Sequence, residues 1–200
     1  GGINRNTYES MLLCEANGYD VILIESVGIG QSEISVKEIV DFVILLTIPG
    51  TGDELQGIKR GIMETVDLVV INKIDLFDKK RVMELKQSLT HALHLFPEKL
   101  SKHPTKVLTI SALEALSLDE VWLATELYFS IVMESGYYTE KRKLQRVSWM
   151  KRTLYNFFIT NLFQNEKFKT AFDKYETAVL ENEISPYEAA LTIYNQALNT

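Results

Sequence analysis

Four short apolar runs constrain this chain more than anything else in it: residues 21–24 (VILI), 42–48 (FVILLTI), 68–71 (LVVI) and 107–110 (VLTI). None alternates apolar with polar residues. Continuous runs of this length mark strands buried on both faces, as in a parallel sheet covered by helices. The stretches between them are long enough for helical crossovers, and the pattern predicts helices over 7–16, 33–39, 54–64, 79–96 and 118–135. The expected fold is therefore α/β with a mostly parallel sheet. Because a helix feeds the first strand, the domain is expected to begin in the middle of its pattern.

After Gly136 the strand signals stop. Apolar residues then recur at helical spacing: Val147, Met150, Leu154, Phe157, Phe158 and Leu162, next Phe168, Phe172, Tyr175 and Val179, and last Tyr187, Leu191, Tyr194 and Leu198. Ser185-Pro186-Tyr187-Glu188 opens the final helix, with Ser185 as cap, Pro186 at the first helical position and Glu188 reaching back as its capping-box partner. The expected division is 1–136 for the sheet domain and 137–200 for a helical segment. Three consecutive amphipathic helices beyond a sheet have few partners within one chain, so the segment is expected to form an interface. The net charge of -6, with no long block of Lys or Arg, argues against nucleic acid or an anionic membrane as partner. A single cysteine, Cys14, leaves no internal disulfide and points to a reducing compartment. No apolar span long enough for a membrane occurs, so the expected location is cytoplasmic, or the mitochondrial matrix in a eukaryote.

Polar motifs follow the apolar runs, where the carboxyl ends of parallel strands present ligand-binding loops. Asn72-Lys73-Ile74-Asp75 follows the third run. The Asp75 carboxylate can accept two hydrogen bonds from guanine N1–H and its exocyclic amine, a pair that adenine does not offer. Asn72 can fasten neighbouring loops, and the Lys73 stem can lie along the base. The competing reading is a surface turn with Asp75 capping a helix. Ser111-Ala112-Leu113 stands after the fourth run, one crossover away, where GTP-binding domains support the base. Glu25-Ser26-Val27-Gly28-Ile29-Gly30-Gln31 follows the first run. There Glu25 can hold a water on Mg²⁺ and Gly28 lets a backbone N–H approach a γ-phosphate; a glycine-rich turn is the bland alternative. His91 and His94 sit on a Lys/Glu-rich helix and read as a solvated face. Nothing suggests a Ser/His/Asp triad.

The combination of residues 12–33 (LLCEANGYDVILIESVGIGQSE), 48–62 (IPGTGDELQGIKRGI) and 70–75 (VINKID) is similar to the methylmalonyl-CoA mutase-associated GTPases, G-protein chaperones of adenosylcobalamin enzymes formerly labelled as an arginine/ornithine transport kinase. The tail, with residues 145–150 (QRVSWM) and 185–190 (SPYEAA), resembles the family's dimerisation helices. The resemblance implies a P-loop-type GTPase that binds GTP or GDP with Mg²⁺, works as a homodimer and serves an adenosylcobalamin-dependent mutase. It implies a switch over Glu25 to Gln31 and a further mobile loop from Pro49 to Gly61, in which Asp53, Gln56 and Lys59 can reach the nucleotide or the partner subunit. Glu in place of the usual Asp at position 25 fits the family. A P-loop needs G-x-x-x-x-G-K-[ST], and no such run occurs between Gly1 and Thr200. The resemblance therefore puts the phosphate loop in sequence outside these residues and leaves this chain inactive alone. Two alternatives stand beside it: a nucleotide-free dimerising interaction module, and a small-molecule kinase or ATPase tied to amino-acid transport.

Overall fold

The computed structural model describes residues 5–26, 36–50 and 60–198. They divide into two compact units, residues 1–145 and 146–200. The first opens with α1 (Arg5–Ala16) and an irregular stretch over 21–26, then a 3-10 turn at Val36–Glu38. Next come β1 (Ile44–Thr47), α2 (Arg60–Met63), β2 (Leu68–Ile71), a 3-10 turn at Ile74–Leu76, α3 (Lys79–His94), β3 (Lys106–Thr109) and α4 (Leu118–Glu134). α5 (Tyr137–Gln164) begins in this unit.

The sheet is parallel in the order β1-β2-β3, in register at Ile44–Leu68–Lys106 and Thr47–Ile71–Thr109. Its centre is β2, whose residues are all buried. Side chains alternate between the faces of a strand, and β2 uses both faces. Val69 and Ile71 pack with Leu85 and Leu89 of α3, Val107 and Met63, whereas Leu68 and Val70 pack with Ile110 and Ala124 of α4. Burying each such side chain contributes about 1.5–3 kcal/mol. An unbroken Leu-Val-Val-Ile is what a strand between two helical layers requires.

The expected run at 21–24 is not a strand among the described residues. It has no regular secondary structure, and Leu23 is 89% exposed. An apolar run becomes a strand only where a neighbour completes its ladder. β1 is also shorter than 42–48. Phe42 packs its ring 4.7 Å from that of Tyr128, and the Val43 N–H donates to Asp67 Oδ2 at 3.0 Å, so both precede the ladder. Of the helix expected over 33–39, Val36–Glu38 is a 3-10 turn and 33–35 lie outside the described residues; of 54–64, only the short α2 is described.

The amino ends of the strands hold a polar cluster. Asp67 is buried, accepts the Val43 N–H and pairs with Lys99 Nζ at 3.4 Å. Lys99 also donates to the Val66 carbonyl, as does Thr105 Oγ1 at 3.0 Å. Nearby, Arg142 forks onto the Asp41 carboxylate and reaches Glu15 at 2.7 Å, and Gln145 Nε2 donates to the Lys37 and Val40 carbonyls.

The second unit holds the rest of α5, α6 (Glu166–Leu180) and α7 (Pro186–Leu198). Asn165 caps α6 by accepting from the Lys167 and Phe168 amides. The capping box read from the sequence is present: Ser185 Oγ accepts the Glu188 N–H at 3.2 Å and donates to its carboxylate at 3.1 Å. Phe163, Phe168 and Phe172 pack ring on ring. The outer stripe of α5, with Leu154, Tyr155, Phe157, Phe158 and Ile159, is exposed.

Candidate functional site

The carboxyl ends of β2 and β3 bring two of the sequence motifs together. The Asn72 N–H continues the ladder to the Thr47 carbonyl of β1 at 2.8 Å, which fixes where β2 ends. The Asn72 side chain then turns its Oδ1 onto two amides, Lys73 at 2.7 Å and Ala112 at 3.0 Å. One carboxamide oxygen thus fastens the loop after β2 to the loop after β3. The Ile74 N–H adds a bond to the Ile110 carbonyl at 3.3 Å. Lys73 adopts a left-handed conformation, φ 60° and ψ 34°. Such a reversal is uncommon away from glycine, and it turns the chain into the 3-10 turn that carries Asp75.

Asp75 is half-buried, and its Oδ1 is shielded from solvent without a hydrogen-bond partner among the described residues. It caps nothing: α3 begins after Asp78, and no side chain caps its first turn. A buried acceptor left unpaired costs about 1–3 kcal/mol. Such an atom at the carboxyl edge of a parallel sheet fits a ligand donor that the described residues do not supply, and guanine N1–H with its 2-amino group is a donor pair of that kind. On the facing loop, Ser111 is fully buried and its Oγ accepts the Glu114 N–H at 3.1 Å. Its backbone bridges to Leu116 on the same loop, and Leu113 stands exposed.

Glu25 is exposed at the end of the irregular stretch, and Gly28, Gln31 and Lys59 lie outside the described residues. Among the described residues no set of three His, Cys, Asp or Glu side chains is arranged to hold a metal. One signal was missed in the sequence: Ser26 Oγ, next to Glu25, is also buried without a partner among the described residues.

The titratable groups with shifted pKa values lie at the opposite edge. Burial lowers Lys99, with Asp67 opposing; burial, then Lys106, lowers His103; and burial raises the Tyr128 hydroxyl. Perturbed groups often mark function, but these shifts arise mainly from burial within packed structure at the amino ends of the strands.

A family model described as Methylmalonyl Co-A mutase-associated GTPase MeaB matches residues 1–167. GTPase ArgK of Escherichia coli (strain K12) is 41% identical over 186 residues, covering 93% of this chain and 56% of that protein. Methylmalonic aciduria type A homolog, mitochondrial, of Mus musculus is 37% identical over 190 residues, covering 95% of this chain and 46% of that protein. Among solved structures, the crystal structure of LAO/AO transport system kinase matches with a TM-score of 0.76 and 36% identity, over 98% of this chain and 63% of that one. The chain spans about half the length of these curated relatives. It belongs to the MeaB family of methylmalonyl-CoA mutase-associated GTPases, proteins that bind guanine nucleotides.

Proposed function

We propose that these residues form the base-reading and switch portion of a GTP-hydrolysing chaperone that gates cofactor loading of an adenosylcobalamin-dependent mutase. The observation that carries the reading is Asp75 Oδ1, buried and without a partner among the described residues, beside the loop that Asn72 fastens to Ala112. In this reading Asp75 accepts the two guanine donors, Lys73 lays its stem along the base, and Ser111, Ala112 and Leu113 shape the facing wall. With Mg²⁺ and GTP bound, Glu25 would hold a water on the metal, the Gly28 amide would serve the γ-phosphate, Gln31 would belong to the same switch, and Lys59 would act from the loop after β1. GTP, when bound, supplies the phosphoanhydride that water cleaves. Residues 137–200 serve as the homodimerisation segment, which the exposed aromatic stripe of α5 supports.

A phosphate loop from outside these residues completes the site. Without it, a few hydrogen bonds of about 0.5–3 kcal/mol each must offset an association cost of at least ~4 kcal/mol, leaving base affinity in roughly the millimolar range. Residues 1–200 alone are therefore expected to hydrolyse no GTP and to show no saturable micromolar binding of a fluorescent GTP analogue. Guanosine monophosphate at millimolar concentration is expected to shift the backbone amide NMR signals of residues 72–76 and 111–113, with adenosine monophosphate inert. Equal responses to the two nucleotides contradict the base-reading assignment, and micromolar Mg²⁺-dependent GTP binding contradicts a phosphate site outside the chain.

A further inference from the structure

The base-reading turn has a second anchor that the motif does not include. Asn72 secures its start; Phe77 closes its end by donating its backbone N–H to the Ile74 carbonyl, two residues beyond Asp75. The half-buried Phe77 ring carries the Arg81 guanidinium over it, 5.7 Å from the ring centroid. Phe77 is extended and ends the 3-10 turn, while Arg81 lies four residues on, in the first turn of α3. Their other neighbour comes from a different strand. Gly50, just beyond β1, has φ +92°, and a Cβ placed there stands 3.0 Å from Arg81 Nη2 and 3.1 Å from Phe77 Cε1. Pro49 before it is fully buried, so the backbone reaches this contact from a fixed point.

We infer that Arg81 and Phe77 are positioning residues for base recognition, which clamp the turn bearing Asp75 against the backbone leaving β1 at Gly50. The inference rests on the base-reading proposal and deepens it. The carboxylate must meet two donors at once, so a small rotation of the turn weakens the contact to the 2-amino group while the other persists. The positive φ at 50 favours glycine, and a Cβ there also presses on the guanidinium and the ring, which must give by a few tenths of an ångström.

Inosine monophosphate, which lacks the 2-amino group, isolates the effect. Wild-type residues 1–200 are titrated by NMR with guanosine and inosine monophosphates, alongside Arg81→Ala, Arg81→Lys and Gly50→Ala. The wild type is expected to prefer the guanosine nucleotide about tenfold, the value of one good hydrogen bond, and its Gly50 amide to shift with residues 72–77. Arg81→Ala and Gly50→Ala, which break the contact from opposite sides, are expected to cut the preference below about threefold and to uncouple Gly50. Arg81→Lys keeps the charge but not the planar stack, and is expected to behave as Arg81→Ala. A merely structural role lowers the thermal midpoint and both affinities together, leaving the ratio unchanged. An unchanged ratio in Arg81→Ala, or a Gly50 amide indifferent to ligand in the wild type, overturns the inference while the base-reading proposal stands. Absence of shifts at 72–76 in the wild type overturns that proposal, and this inference with it.

Discussion

The two ends of the sheet are built from similar residues and differ in how far those residues satisfy one another. At the amino ends, Asp67 is buried and answered, by the Val43 amide and by Lys99. At the carboxyl ends, Asp75 is half-buried and one of its oxygens is answered by nothing in the described chain. A carboxylate matched from within holds a fold together, whereas one left unmatched at a strand's carboxyl end is available to a ligand. His103 keeps the rule from being too simple. Both of its ring nitrogens are buried and unpaired among the described residues, yet it stands edge-on to the Tyr128 ring at 5.4 Å with only 5% of its surface exposed. A neutral imidazole buried this far serves as packing.

The contrast predicts opposite consequences for removing each acid. Asp67→Ala strands Lys99 and the Val43 amide, and breaking a buried pair in this way costs about 3–5 kcal/mol; partial exposure of Lys99 puts the expected loss near the low end, read from urea unfolding. Asp75→Asn is expected to leave stability within about 0.5 kcal/mol while costing guanine affinity about 2–4 kcal/mol. If the two variants lose similar stability, the distinction between the ends fails.

The pH dependence sharpens the same point. His103 is lowered in the folded chain, first by burial and then by Lys106, with Asp67 opposing and Lys99 adding to the effect. The unfolded chain therefore takes up a proton near pH 6.5 while the folded chain does not. The stability associated with neutral His103 is complete above that pH and is lost as pH falls from about 6.5 toward the folded value, with a slope of at most ~1.4 kcal/mol per pH unit. His103→Phe is expected to flatten this slope between pH 6.5 and 5 in thermal melts, whereas Asp75→Asn is not. The smallest expected effect is that of Thr105→Val, which removes one of two side-chain donors to the Val66 carbonyl and costs about 0.5–1 kcal/mol by the same melts.

The parts of the fold legible in the sequence were those whose pattern and surroundings agree. Residues 68–71 are buried on both faces, so a continuous apolar run described them correctly; the Ser185 capping box is local and was readable as four residues. Residues 21–24 carry the same kind of run without a paired neighbour among the described residues, because a ladder depends on a partner that a single segment does not encode. The association of the two loops at Asn72 followed from the order of strands. The contact of Phe77, Arg81 and Gly50 did not, since it joins segments that follow two different strands and only the closeness of the first two is written locally. Asp67 and His103 were silent for a related reason: nothing in a sequence marks a polar residue before a strand as buried.

The most direct test of the guanine reading is to change what Asp75 can accept. With Asp75→Asn, the amide offers a donor to the xanthine 2-carbonyl where the acid accepted from the guanine 2-amino group. Residues 1–200 carrying this substitution are titrated with guanosine and xanthosine monophosphates while the amides of residues 72–76 and 111–113 are followed by NMR. The predicted result is a reversal, with guanosine-induced shifts lost and xanthosine-induced shifts gained in a chain that melts as the wild type does. Guanosine monophosphate binding equal to that of the wild type contradicts the account and removes Asp75 from the site.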